Sequence, residues 1–581
     1  MLVKRLISAW LTAVFVTYLF SPQEKILTKD FPLSVNFLLL ILGFVSAFIL
    51  LTFTASLFDN KYKTDSGWLL FITVAITVLL AAGRLDSYSC FAVLPFILAA
   101  VYFTLGKDSL RLPAWSKKLW VAVIVIGGLI MLFFAGVLIA ARYYGMVAPA
   151  FDFGIFTQMF ENMKDSFQPI TTVERGYELS HFAVHFSPAY YLLLPFYMLC
   201  PHPVTLEILQ GLAITSGVIP TFLIARKYGL SKPTCAVIGF IFCLYPALVG
   251  GCRYDIHENC LLVPLLMWLF WAIEREKFPL IGIFAALTLT VKEDAAVYVS
   301  VVALYLLFSD RGKKMKIAGG IMLGGAVLYF LAVCAYLDSQ GLGVMSWRYD
   351  NYIYDGGGLF SVIKSVLINP AYAVSNLVTE EKILFILQML LPLGCIPLAC
   401  KKFSRVILLI PFILINLMTS YVYQYSINFQ YVFGSSAIMI WLFIMNGADM
   451  KYNTRRVAVA FSALACVAVF GACHWGLTNN LSVFGDDDKA AAISYLESLD
   501  TDGSITADTF LVPALYSQKE LYSISSSGEP NEKSAPVADV VLLDKRWGRY
   551  TEFKNYYLGQ GMTEVEVSGA AGNIICRLEK K

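Results

Sequence analysis

Three short stretches of this 581-residue chain set carboxylates beside imidazoles or amines. Asp152 stands alone in Ala148-Pro-Ala-Phe-Asp-Phe-Gly. Asp255, His257 and Glu258 follow Arg253 in Arg253-Tyr-Asp-Ile-His-Glu-Asn. Lys292, Glu293 and Asp294 are consecutive in Val291-Lys-Glu-Asp-Ala, and His185 opens His185-Phe-Ser-Pro. Carboxylates of this kind can take a proton from a hydroxyl, bind a divalent cation such as Mg or Mn, or position a sugar. Each group also has a plainer reading. Asp152 could cap a helix over 153–164. Lys292 could pair with Glu293 at a helix boundary, Arg253 with Asp255 in a solvated loop, and His185 could bond only the backbone. Tyr421, Tyr423, Gln424 and Tyr425 form an aromatic cluster that suits either a membrane-interface belt or contact with sugar or lipid.

The elements that must position these groups are membrane helices. Hydrophobic residues make up 58% of the chain and charged ones only 15%. Mean hydropathy is +0.68, well above that of a soluble domain. The lipid bilayer is therefore the main solvent. A net charge of +3 gives no reason to expect a nucleic acid partner. Apolar runs of roughly twenty residues predict helices, since unpaired backbone is not tolerated in hydrocarbon. They lie near 6–21, 33–57, 67–83, 88–105, 119–141, 204–226, 233–250, 259–273, 278–292, 294–309, 316–337, 382–400, 405–421, 428–447 and 455–475. The fold class is a polytopic α-helical membrane protein of about 15 transmembrane helices. The first run reads as a span, because no small-residue cleavage site follows it.

Lys and Arg cluster in alternate loops: Lys117 and Lys118, Arg226 and Lys227, Arg275 and Lys277, Arg311 to Lys316, Lys401 to Arg405, and Lys451 to Arg456. With those loops inside, the N-terminus is cytoplasmic. The pattern holds only if residues 187–200 form a juxtamembrane or re-entrant helix and do not cross. Long outer loops then cover 142–203 and 338–381, and all three acidic stretches fall at one extracytoplasmic face. Ionisable groups near membrane depth are costly and are functional candidates by default.

Residues 479–581 read as a small extracytoplasmic α/β domain. Its helix starts at Asp486-Asp-Asp and runs through Leu499. Strands are predicted at 504–508, 521–524, 540–543, 564–567 and 574–578, with a helix over 550–559. The organisation is a four-helix N-terminal extension (1–118), a transmembrane core (119–478) and this domain (479–581). Most of the twelve cysteines fall in apolar runs and read as buried hydrophobes. Cys252 and Cys260 flank one acidic stretch, where a disulfide is the minor alternative.

Taken in order, Phe151-Asp-Phe-Gly-Ile-Phe-Thr-Gln, His185-Phe-Ser-Pro, Tyr245-Pro-Ala-Leu, Tyr254-Asp-Ile-His-Glu and Val291-Lys-Glu-Asp-Ala resemble an uncharacterised bacterial family of predicted membrane proteins. The resemblance covers roughly 145–340 well and the later spans loosely. That family in turn resembles the GT-C superfamily of membrane glycosyltransferases, which implies a GT-C-like core. It also implies a polyprenyl-phosphate-linked sugar donor and an extracytoplasmic acceptor: an envelope glycan, lipid or protein. By position, the role of catalytic base falls on Asp152. Lys292, Arg253 or a cation would then stabilise the leaving phosphate. Asp255, His257, Glu258, Glu293 and Asp294 would hold sugar, cation or one another. The chain departs from the GT-C pattern in having four extra spans before the core. Asp152 is also not part of an acidic pair, which puts a metal there in doubt. Asp486–Asp488 is similar to the acidic metal motif of soluble glycosyltransferases, but acids at a helix N-terminus explain it better. A transporter or flippase, or a non-catalytic envelope assembly protein, is the alternative function.

Overall fold

The computed structural model describes residues 2–21, 30–57, 61–82, 87–107, 116–341, 343–354, 358–525 and 530–580. All fifteen predicted runs contain helix. Among the described residues, nine helices are long and apolar enough to cross a membrane: Leu2–Phe20, Phe37–Leu57, Cys90–Lys107, Lys117–Tyr144, Pro203–Lys227, Lys232–Gly250, Lys313–Ser339, Gln430–Ala448 and Tyr452–Val483. Lys61–Ala81 is a further apolar helix of 21 residues.

Five of the predicted runs form helices shorter than a full crossing. Leu262–Glu274, Phe278–Leu289 and Ala295–Phe308 have 13, 12 and 14 residues. At 1.5 Å per residue, each falls short of a hydrocarbon core of about 30 Å. Glu380–Leu390 breaks into 3-10 turns at Pro392 and Pro397, which remove backbone donors. Phe403–Ile407 gives way to a π-helical turn over Phe412–Leu417, just after Pro411. The expected count of about 15 crossings is therefore too high for the nine helices of spanning length among the described residues: prolines and the short 290–294 link set helix lengths that composition does not show. Leu262–Glu274 persists because protein surrounds it, buried at nearly every position.

Residues 187–200 form a five-residue 3-10 turn, Pro188–Leu192, and a four-residue helix, Leu194–Tyr197, too short to cross. The loop before them carries a helix, Ile155–Ser166, and a small hairpin of β1 (Ile170–Thr171) and β2 (Leu179–Ser180).

The C-terminal residues fold as a mixed sheet. β3 (Ile505–Ala507), β4 (Leu521–Ser523) and β5 (Val540–Asp544) are parallel; β7 (Ile575–Lys580) pairs antiparallel with β5, and β6 (Met562–Val565) antiparallel with β7. The order is β4-β3-β5-β7-β6. Val541, Leu543, Phe553, Tyr557 and Leu578 are fully buried beneath the helix Tyr550–Gly559. Asp486 caps the helix Asp487–Glu497 by accepting from Lys489 N at 3.1 Å, as expected for an acid at a helix start. The sheet docks on the loop that carries Asp152. Gln158 Nε2 donates to Gln518 O at 2.9 Å, and Leu521 N donates to Thr172 Oγ1 at 3.0 Å. All the cysteines among the described residues are free, including the buried Cys252 and Cys260, so no bridge closes that loop.

Candidate active site

Asp152 does not cap the helix that follows it. Gly154 occupies the cap position, and no side chain bonds the helix start. Asp152 instead has φ +72° and ψ −73°, a γ-turn geometry that an L residue rarely adopts. Holding it there costs on the order of 1–3 kcal/mol. The turn aims the carboxylate at the next acidic stretch, where Asp152 Oδ2 lies 3.0 Å from His257 Nε2. Phe156 packs edge-on against the imidazole at 5.3 Å. His257 is almost wholly enclosed, whereas the Asp152 side chain keeps 19% of its surface open.

The His257 loop is fixed from several sides. Asp255, at φ +65°, takes a 2.5 Å bond from Arg142, not from Arg253. Arg142 also donates to Arg253 O at 2.8 Å and Val147 O at 3.2 Å, so it ties this loop to the Asp152 segment. Glu207, inside the span Pro203–Lys227, accepts from Ile256 N at 2.9 Å. Gln210 accepts from His257 N at 3.3 Å.

Lys292 and Glu293 do not pair with each other. Lys292 Nζ reaches Glu258 Oε1 at 2.7 Å, with both side chains at most 4% exposed. Tyr190 donates its hydroxyl to the other Glu258 oxygen at 2.6 Å. Glu293 takes His185 Nδ1 at 2.9 Å, so this histidine bonds more than backbone. Asp294 Oδ1 is buried with no hydrogen-bond partner.

The electrostatics follow from these pairings. Burial pushes the Asp255 carboxyl up to about 6 even though Arg142 pulls it down. Burial likewise lifts Asp294 to about 6, against the pull of Lys292. Burial would raise Glu258 as well, but the Lys292 ammonium together with His257, His185 and His181 outweighs it and holds that carboxyl well below its usual range. Burial disfavours a charged His257, yet the Asp152 carboxylate prevails and raises the imidazole above its ordinary 6.5. With a folded value above the unfolded one, this pair contributes stability fully below about pH 6.5 and loses it as pH rises through the raised value. Thermal unfolding across that window should show a decline that His257→Gln lacks; an identical decline in the variant would refute the assignment.

The structure therefore gathers Asp152, His185, Asp255, His257, Glu258, Lys292, Glu293 and Asp294 into one network. It leaves Arg253 aside, donating to Asn428 Oδ1 at 3.3 Å and Cys473 O at 3.1 Å. Tyr423 packs on Phe429 and Tyr421, at 4.5 and 4.9 Å between ring centroids. Tyr425 faces Lys382 at 5.0 Å in a separate cavity of about 730 Å³, lined by Asn351, Asn376, Gln388, Ser420 and Asn428 among others.

Four contributors were not picked out by motif: Arg142, Tyr190, Glu207 and Arg348. Two carried a signal. Glu207 is an acid inside an apolar run, and Arg348 is a lone arginine in a long loop. Arg348 lies between Tyr421 and Tyr431, with its guanidinium carbon 4.9 and 5.0 Å from their ring centroids. It donates to Tyr431 OH at 3.3 Å. Among the described residues it forms no ion pair, although its charge acts on the nearby Asp294 carboxyl. Among those residues, too, no three His, Cys, Asp or Glu side chains are gathered as a metal ion requires. Asp152, Asp255, Glu258 and Glu293 are paired with His257, Arg142, Lys292 and His185, whereas Asp294 is in no ion pair among the described residues.

The arrangement of membrane helices with an appended sheet is that of the ArnT fold. ArnT from Cupriavidus metallidurans, solved bound to undecaprenyl phosphate, is similar with a TM-score of 0.50 at 10% identity, over 80% of this chain and 98% of that one. An oligosaccharyltransferase from Archaeoglobus fulgidus, solved with Zn and sulfate, matches 73% of this chain and 68% of its own at 13% identity. Its TM-score of 0.34 is too low to carry an argument. Both are GT-C superfamily glycosyltransferases. The chain itself belongs to the family described as "Predicted membrane protein (DUF2079)", which matches residues 142–564. No curated protein matches it.

Proposed function

We propose that this protein transfers a sugar from a polyprenyl-phosphate donor to an extracytoplasmic acceptor, with inversion. The observation that carries the reading is the Asp152 carboxylate, held 3.0 Å from the His257 imidazole with an open edge. Asp152 takes the proton from the acceptor hydroxyl as that oxygen attacks the anomeric carbon. The bond from that carbon to the phosphate oxygen breaks, and the lipid phosphate leaves. His257 orients the base. Arg348 is the cation best suited to the departing phosphate, since it forms no ion pair among the described residues and guanidinium forks match phosphate. Lys292 adds positive potential from beneath, although Glu258 takes up most of its charge. Tyr421 and Tyr423 flank the donor, and the cavity beside Tyr425 gives room for the acceptor. In this reading the N-terminus is cytoplasmic and the sheet domain lies outside the cell membrane. The likeness to the fold of ArnT supports a lipid-linked donor.

The test uses purified protein in liposomes with a radiolabelled polyprenyl-phosphate sugar and an envelope extract as acceptor. The expected result is label moving to the extract, unchanged by EDTA, with no uptake of free solute. Uptake without transfer would replace the enzyme with a transporter. Loss of transfer in EDTA would bring a Mg or Mn ion into the mechanism.

A further inference from the structure

We infer that the C-terminal domain is a brace that holds Asp152 in its strained turn, with Thr509 and Arg546 as positioning residues. Two non-glycine residues between 145 and 154 have positive φ: Met146 at +50° and Asp152 at +72°. Residues with a Cβ leave that region unless their surroundings hold them. The domain contacts the backbone next to both. Arg546 donates to Met146 O at 3.2 Å and Gly145 O at 3.5 Å, and is itself fixed by Asp544 at 2.6 Å. Thr509 Oγ1 accepts from Ala150 N at 3.0 Å, two residues before Asp152. Two residues after it, Gly154 lies so close to the turn Val512–Leu515 that an added Cβ would sit 2.8 Å from Val512. The γ-turn is thus gripped on either side by one short segment of the domain.

The position of that segment is set within the domain. Asp508 accepts from Asp544 N at 2.6 Å, and Asp508 N donates to Leu542 O at 3.0 Å, which fixes the residue next to Thr509. Docking does not depend on Thr509. Gln158 to Gln518 and Thr172 to Leu521 join the domain to the same loop farther along the chain. Removing the Thr509 hydroxyl therefore loosens the turn without detaching the domain. Ala150 is buried, so its N–H would be left without a partner. A domain that merely docked would have no reason to meet the backbone at both edges of this strained carboxylate.

The test compares Thr509→Val, which keeps shape but removes the acceptor, with Thr509→Ser, which restores it. Hydrogen exchange on the full-length protein reads amides 146–154, with helix Tyr550–Gly559 as a folding control. In Thr509→Val the turn should exchange at least about tenfold faster and the control should not change. Transfer should show kcat lower by about 10- to 100-fold with donor KM unchanged. Thr509→Ser should restore both. Unchanged exchange in Thr509→Val would overturn the brace. The activity arm rests on the transferase reading, whereas the exchange arm does not. Absent transfer in the wild type would therefore sink that reading and leave the brace to be decided by exchange. If Thr509→Val loses the control protection too, Arg546→Gln replaces it with the same two outcomes.

Discussion

Asp152→Asn should lower sugar transfer by about 10²- to 10⁴-fold, the range a general base commands, while the protein unfolds at nearly the wild-type temperature. Asparagine is the right probe because it tolerates positive φ better than other residues with a Cβ. It keeps the shape of the side chain and an oxygen for His257, and removes the charge that accepts the proton. Asp152→Ala would confound the result, since alanine at φ +72° adds backbone strain to the lost function. The measurement is steady-state transfer in liposomes beside a thermal melt of the same preparation. Full activity in the asparagine variant would remove Asp152 from the chemistry and leave its turn as a structural oddity. Lost activity with a melting point many degrees lower would report unfolding, and His257→Gln would then separate the two, since it spares the turn.

The outline of the fold was legible because lipid permits few alternatives. An apolar run in hydrocarbon must become helix, and the runs ending near Phe20, Leu57, Gly250 and His474 end there in the structure to within a few residues. The sheet domain was legible for another reason: short β-branched runs between turn residues have few other uses, and Val540–Asp544 and Tyr550–Gly559 fall where expected. The pairings were not legible. Lys292 and Glu293 are neighbours in sequence, yet adjacent side chains diverge, and each finds a partner across the fold. Glu258 is 34 residues from Lys292, and Asp255 is 113 from Arg142. Motif spacing marked these residues as candidates but not who meets whom. The strained turn at Asp152 was invisible for a related reason. Nothing local favours it, and its support comes from Thr509, 359 positions beyond its bonding partner Ala150.

The buried pair beneath the site leads to the second large effect. Lys292→Met should destabilise the protein by about 3–5 kcal/mol, because it strands the Glu258 carboxylate in a site closed to water. Tyr190 alone cannot offset that charge. Glu258→Leu should cost about as much by stranding the ammonium. The double variant should recover most of the loss, since replacing a buried pair by apolar groups is often neutral or better. Thermal unfolding of the four proteins in one detergent gives the coupling; additive losses would show that the 2.7 Å contact is not an energetic pair. The same four proteins separate scaffold from chemistry. If Lys292 serves only to hold Glu258 in place under His257, the double variant regains transfer along with stability. If its charge also helps the phosphate depart, the double variant folds and stays slow, because the groups left around that position, His181, His185 and His257, are imidazoles and not a permanent ammonium. Stability and rate then part in the one protein where the pair is gone and the fold is kept.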